Sequence, residues 1–279
     1  AYDAEGRLST VRDVRENVRG RYTYDMAGRL AEYSRRSVWT RDGGTEKVYI
    51  HNIYEDGTNR LLEQNRRTNG IGMDTQYTYG KTSQGQMPDA VYNIWWRNRR
   101  IDYEYDELGR RTKETLVYEG KHTPVEYSYI PGTTMLETIN SNGDEYRYEY
   151  DALGQITAIY HNGVLEQSYA YDSHNRLVQV NDTIQNKTEQ YGYDLGGNLL
   201  TRWEYAYTPN VVGPVKKTIT YGYGDGAWKD LLTNYNGQSI TYDAIGNPLT
   251  YRDGMKFTWQ NGRQMKTFSK TGTSATYEY

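Results

Sequence analysis

With 279 residues, a net charge of −3 and no cysteine, the chain excludes a disulfide framework and zinc–thiolate sites and carries no general electrostatic footprint for nucleic acid. Its 31 tyrosines against 2 phenylalanines argue for sheet faces instead of one thick apolar core, because a tyrosine ring can be half buried with its hydroxyl in water. No run approaches the ~18 apolar residues of a membrane span, and nothing at Ala1 resembles a signal peptide.

From the N-terminus, Tyr2-Asp3 leads to Gly6 and Tyr24-Asp25 to Gly28. The same Tyr-Asp-x-x-Gly returns at Tyr105, Asp106 and Gly109, at Tyr150, Asp151 and Gly154, at Tyr193, Asp194 and Gly197, and at Tyr242, Asp243 and Gly246. A further copy, Tyr171-Asp172, has Asn175 in the glycine place, the residue next most tolerant of positive φ. Weaker copies at Tyr54, Tyr79, Tyr129 and Tyr223 keep the alternation or the aliphatic pair while the turn has drifted. Unit starts therefore fall at 2, 24, 54, 79, 105, 129, 150, 171, 193, 223 and 242, with steps of 19 (223 to 242) to 30 (24 to 54) residues. A period of this size belongs to architectures in which each unit buries its face only against its neighbours.

Within a unit, YRYEYDALGQ (146–155) shows the chemistry. Tyr146, Tyr148 and Tyr150 alternate with the period of a strand, so their rings share a face. Asp151 can accept hydrogen bonds from the backbone ahead of it, and Gly154 can take the left-handed conformation that lets a second strand return. A polar and then commonly an aliphatic residue follow, as in Arg7-Leu8, Arg29-Leu30, Gln155-Ile156, Arg176-Leu177 and Asn198-Leu199. A second turn is marked by Asp42-Gly43, Asn69-Gly70, Asn142-Gly143, Asn162-Gly163 or Asp253-Gly254. Propensity alone makes RLLEQNRR (60–67) a helix, but the repeat frame places a strand there. The expected fold is all-β: tandem hairpins in one curved, spiralling antiparallel sheet, a single repeat segment over 1–279, with the Tyr-x-Tyr rows on the concave face packing ring against ring or aliphatic side chain. Because Ala1 starts within a unit and Tyr277-Glu278-Tyr279 stops on the alternation that elsewhere leads into Asp, the sequence reads as cut from a longer array whose edge strands promote self-association.

The pattern Tyr-x-Tyr-Asp-x-x-Gly-Arg-Leu resembles the YD repeats of the RHS family, which includes bacterial polymorphic toxins, wall-associated proteins and the teneurins. The resemblance implies a β-sheet shell, lined by tyrosine, that encloses or displays a C-terminal effector of an exported or cell-surface protein. The partners it implies are the neighbouring repeats and that effector. The family's self-cleavage core has no counterpart here, so any effector activity is expected outside this chain.

No enzyme, cofactor or metal site is expected. The repeat aspartates bring one carboxylate per turn, whereas Ca²⁺ requires six or more oxygens, so they read as turn formers. His51, His122, His161 and His174 fall at unrelated places in their units, without a nucleophile or metal spacing. Arg97, Arg99 and Arg100 beside Trp95 and Trp96 read as a solvated strand face, and no nucleic-acid partner is expected. The alternative function is glycan or cell-wall binding by aromatic rows that include Trp39, Trp95, Trp96, Trp203, Trp228 and Trp259, but these are scattered among the units whereas tyrosine is periodic.

Overall fold

The computed structural model describes residues 1–14, 17–38, 44–80, 89–208 and 212–279; Trp39 and the Asp42-Gly43 turn lie outside them. The chain forms two compact units, Ala1–Glu145 and Tyr146–Tyr279. Among the described residues there is no helix, and every named pairing is antiparallel.

The first unit holds β1 (Thr10–Asp13), β2 (Val18–Tyr24), β3 (Leu30–Val38), β4 (Thr45–Tyr54), β5 (Leu61–Thr68), β6 (Ile71–Tyr79), β7 (Val91–Trp96), β8 (Arg99–Tyr105), β9 (Arg111–Tyr118), β10 (Lys121–Tyr129) and β11 (Leu136–Ser141). Each strand pairs with the next in sequence, a continuous meander. Residues 61–67 of the stretch 60–67 lie in β5, where the repeat frame puts a strand, because their cross-strand partners on both sides override local helix propensity.

The second unit holds β12 (Asp144–Tyr150), which starts at the boundary, then β13 (Ile156–His161), β14 (Val164–Tyr171), β15 (Leu177–Asp182), β16 (Lys187–Tyr193), β17 (Leu199–Ala206), β18 (Lys217–Gly222), β19 (Asn234–Tyr235) and β20 (Gln238–Ser239). These again pair in sequence order. At Ile240 the ladder is interrupted, and β21 (Thr241–Tyr242), β22 (Pro248–Tyr251), β23 (Met255–Gln260), β24 (Gln264–Lys270) and β25 (Thr273–Thr276) make a separate five-stranded sheet.

Two kinds of turn alternate. Asn69-Gly70 has φ of +50° and +83°, and Asn162-Gly163 has +50° and +80°, the paired positive values of a two-residue hairpin. Glu119 takes the same place at φ +49° ahead of Gly120, a tight turn with no sequence signal in its first residue. At the opposite strand ends the Asp-x-x-Gly turns are accompanied by register shifts immediately before Tyr24, Tyr105, Tyr150, Tyr171, Tyr193 and Tyr242. Such bulges increase local twist.

Few side chains are deeply buried. Among the described residues the buried apolar ones are Val48, Ala158, Tyr205, Ile219 and Ile240, and no large side chain is fully enclosed. The sheets are therefore held by cross-strand neighbours, as the tyrosine-rich composition implies.

Candidate functional site

The feature the sequence repeats is a ladder of side chains tying each turn to the next unit. At Asp172 the carboxylate Oδ1 accepts the N–H groups of His174 (2.8 Å) and Arg176 (3.0 Å), while Oδ2 accepts Arg176 Nε at 2.7 Å. Asn175 N–H donates to the Asp172 carbonyl at 3.0 Å, and Asn175 itself sits at φ +62°. Asp3 with Arg7, Asp25 with Arg29 and Asp106 with Arg110 repeat the pair, with Nε–Oδ2 distances of 2.8, 2.7 and 2.6 Å. Where asparagine follows the glycine, its amide replaces the guanidinium: Asn198 on Asp194 at 2.9 Å and Asn247 on Asp243 at 2.8 Å. At Asp151 the N–H of Gln155 bonds to Oδ1 at 2.9 Å, and the glutamine amide reaches forward to the Asn175 carbonyl at 3.2 Å.

Both oxygens of Asp3, Asp25, Asp106, Asp172, Asp194 and Asp243 are thus committed within their own turns, and no carboxylate–histidine cluster fit for a metal occurs among the described residues. Asp172 is held at a pKa of about 2, first by the Arg176 N–H, with burial opposing and the Arg176 side chain and His174 N–H adding to the depression. At Asp3, Asp25, Asp106 and Asp243 burial is the largest influence and acts upward, yet the summed hydrogen bonds bring the net shift below the usual value.

The residue after the glycine then reaches the next unit. The guanidiniums of Arg7, Arg29, Arg110 and Arg176 lie 4.5, 4.6, 4.6 and 4.9 Å from the ring centres of Tyr24, Tyr54, Tyr129 and Tyr193. Arg176 Nη1 also donates to the Asp194 carbonyl at 2.8 Å, and Arg29 Nη1 to the Glu55 carbonyl at 3.0 Å. Five of the repeat tyrosines close the link by donating their hydroxyls to a backbone carbonyl of the preceding unit. Tyr24 donates to Leu8 O (2.9 Å), Tyr105 to Val91 O (2.8 Å), Tyr171 to Ile156 O (2.9 Å), Tyr193 to Leu177 O (2.7 Å) and Tyr242 to Leu232 O (2.6 Å). Tyr2 forms an isolated bridge with Leu8 and is mostly exposed.

The drifted copies keep the link. Tyr54, Tyr129 and Tyr223 donate to Leu30, Arg111 and Leu199 carbonyls. Their turns are longer: Glu55 N–H reaches Arg60 O, and Ile130 N–H reaches Met135 O, one residue beyond the Asp172-to-Arg176 closure. Trp259 plays the tyrosine part with its indole N–H on Pro248 O at 2.8 Å. The repeat pattern places the tyrosines and turns, with their rings expected on neighbouring rings or aliphatic side chains. The structure gives the rings of Tyr24, Tyr54, Tyr129 and Tyr193 both a cation and a carbonyl, and the signal was the arginine that follows the glycine or asparagine of the preceding turn.

The preceding tyrosines of each Tyr-x-Tyr have varied partners. Tyr22 meets Tyr33 at 4.9 Å, Tyr103 lies under Arg111, and Tyr191 donates to Glu189 at 3.2 Å. Burial first, and Glu189 second, push the Tyr191 hydroxyl up to about 12.

Comparison with known proteins found no matching family model. A relative, the tRNA3(Ser)-specific nuclease WapA of Bacillus spizizenii, is 27% identical over 186 residues, which is 63% of this chain and 7% of that protein. Among solved structures, the chain resembles the Photorhabdus luminescens Tc holotoxin pore at a TM-score of 0.44 with 15% identity, covering 95% of this chain and 17% of that one. It also resembles the TcdB2–TccC3 crystal structure, at 0.35 and 15% identity over 99% of this chain and 20% of that one.

Proposed function

We propose that the chain is a stretch of YD repeats forming part of a non-catalytic shell that encloses or displays an effector segment of a longer, exported protein. The observation that carries this reading is the Asp–Arg–Tyr–carbonyl ladder: the repeated aspartates fix their own turns, and the repeated arginines and tyrosines join one unit to the next. A device of this kind resists separation of neighbouring units and provides no group aimed at a substrate. Similarity to 7% of the length of a nuclease agrees with a part that carries while another part acts. The Tyr-x-Tyr face is assigned to the enclosed side, where rings with wet hydroxyls tolerate a polar cargo. Glycan binding has less support, since Trp95 Nε1 is bound to Asn93 and Trp259 Nε1 to Pro248 O.

The test is limited proteolysis of the natural full-length protein. The segment after the repeats should resist trypsin while the array is folded, and become cleavable when Arg29, Arg110 and Arg176 are together replaced by alanine. Equal cleavage with and without an intact array would refute enclosure.

A further inference from the structure

The antiparallel register of the first unit does something that the overall composition conceals. Arg12 lies opposite Arg19, Arg19 opposite Arg36, and Arg36 opposite Lys47, so four successive strands present a cation at the same level of the same face. Arg21 lies two residues from Arg19 on that face, and all five side chains are exposed. None has a carboxylate partner among the described residues, whereas Arg67 nearby is bridged by Asp74. Like charges directly opposite on neighbouring strands destabilise a sheet, and at a strand spacing of ~4.8 Å the row runs straight across four strands. Among the described residues no carboxylate pairs with any member of the row.

Beside the row lies an aromatic. Tyr49 sits between Ser34 and Arg67, two residues from Lys47 on the same face, with 37% of its surface exposed. Its hydroxyl donates to Glu32 at 2.9 Å, which fixes the ring. Arg19, Arg21, Arg36, Lys47 and Tyr49 line one shallow concavity of 410 Å³.

From this arrangement we propose that the β1–β4 face binds single-stranded nucleic acid, its phosphates along the Arg12–Arg19–Arg36–Lys47 row and a base on Tyr49. Guanidiniums match phosphate oxygens in a planar fork. A charged track flanked by an exposed ring is the combination by which single strands are held without reading their sequence. An acidic peptide would use the cations and leave the ring idle. A duplex keeps its bases stacked and would leave the ring idle too.

The test uses the intact chain and a fluorescent oligothymidylate of about 12 nucleotides, within the usual site size. Anisotropy should report binding whose log K falls with log salt at a slope of about −3, from four phosphates at roughly −0.7 each. Replacing Arg36→Gln and Lys47→Gln together should weaken binding about tenfold and halve that slope, with an unchanged circular dichroism spectrum. Tyr49→Leu should weaken binding with no change of slope, and Lys256→Gln in β23 should change nothing. Absence of binding at low salt, equal competition by poly-glutamate or by a duplex of the same length, or full affinity in the folded Arg36/Lys47 variant would each overturn the proposal.

Discussion

A carboxylate that accepts two backbone N–H groups and a guanidinium resists protonation, which makes the acid response of Asp172 a direct reading of its turn. Its pKa of about 2 lies below the ordinary 3.8, so its contribution to stability is present above that ordinary value and is lost as pH falls toward 2. Asp3, Asp25, Asp106, Asp194 and Asp243 shift in the same direction and add to one acid transition. The melting temperature of Asp172→Asn should therefore fall clearly below that of the parent at pH 7, with the gap closing between pH 4 and pH 2; a constant gap across that range would show that the charge has no part. Gly246 and Gly197 separate two further effects. Both have positive φ, +83° and +91°, which costs an alanine about 1–2 kcal/mol. At Gly246 a Cβ would also stand 2.7 Å from Trp228 Cζ3, whereas nothing lies within 4 Å at Gly197. Thermal melts should therefore show Gly246→Ala the more damaging, and equal losses would place Trp228 elsewhere. The glycines were legible in the sequence because backbone geometry leaves them few substitutes. The Trp228 contact was not, since it comes from a loop outside the repeat frame.

At the scale of the element, period-two alternation identified the strands, and the repeat frame overrode the helical composition of residues 60–67, because cross-strand pairing supplies more than local propensity. What alternation cannot encode is which partner a ring meets across the sheet. The bulge before Tyr193 re-aims its side chain, bringing the ring under Arg176 of the preceding turn and the hydroxyl onto the Leu177 carbonyl, and Tyr24, Tyr54 and Tyr129 repeat the arrangement with Arg7, Arg29 and Arg110. That explains tyrosine over phenylalanine at these positions. Tyr193→Phe should cost about 1 kcal/mol, the net worth of a half-buried hydrogen bond. A double-mutant cycle pairing Arg176→Met with Tyr193→Leu should return a coupling of about 0.5–1 kcal/mol for the cation over the ring. Strictly additive losses in chemical denaturation would mean that the 4.9 Å contact contributes nothing to the joining of units.

Over the whole molecule, the scarcity of buried side chains decides how stability is distributed. A protein with a thick core melts as one body, whereas a meander in which each described strand pairs only with its sequence neighbours sums mostly local terms. The composition made this legible, with tyrosine in place of phenylalanine. The interruption at Ile240 was not, since the Tyr242 repeat continues through it without a change of pattern and only the buried Ile240 marks where β20 and β21 part. The consequence is measurable within the second unit. Tyr193 links β16 to the start of β15 through Leu177 O, so its loss should loosen β15, β16 and β17 first. Native-state hydrogen exchange of Tyr193→Phe should show protection in those strands reduced by about fivefold, the equivalent of 1 kcal/mol. Amides of β23 and β24, which belong to the separate five-stranded sheet, should exchange as in the parent. If protection instead falls by the same factor in β23 and β24, the second unit unfolds as one cooperative body and the nearest-neighbour account of its stability is wrong.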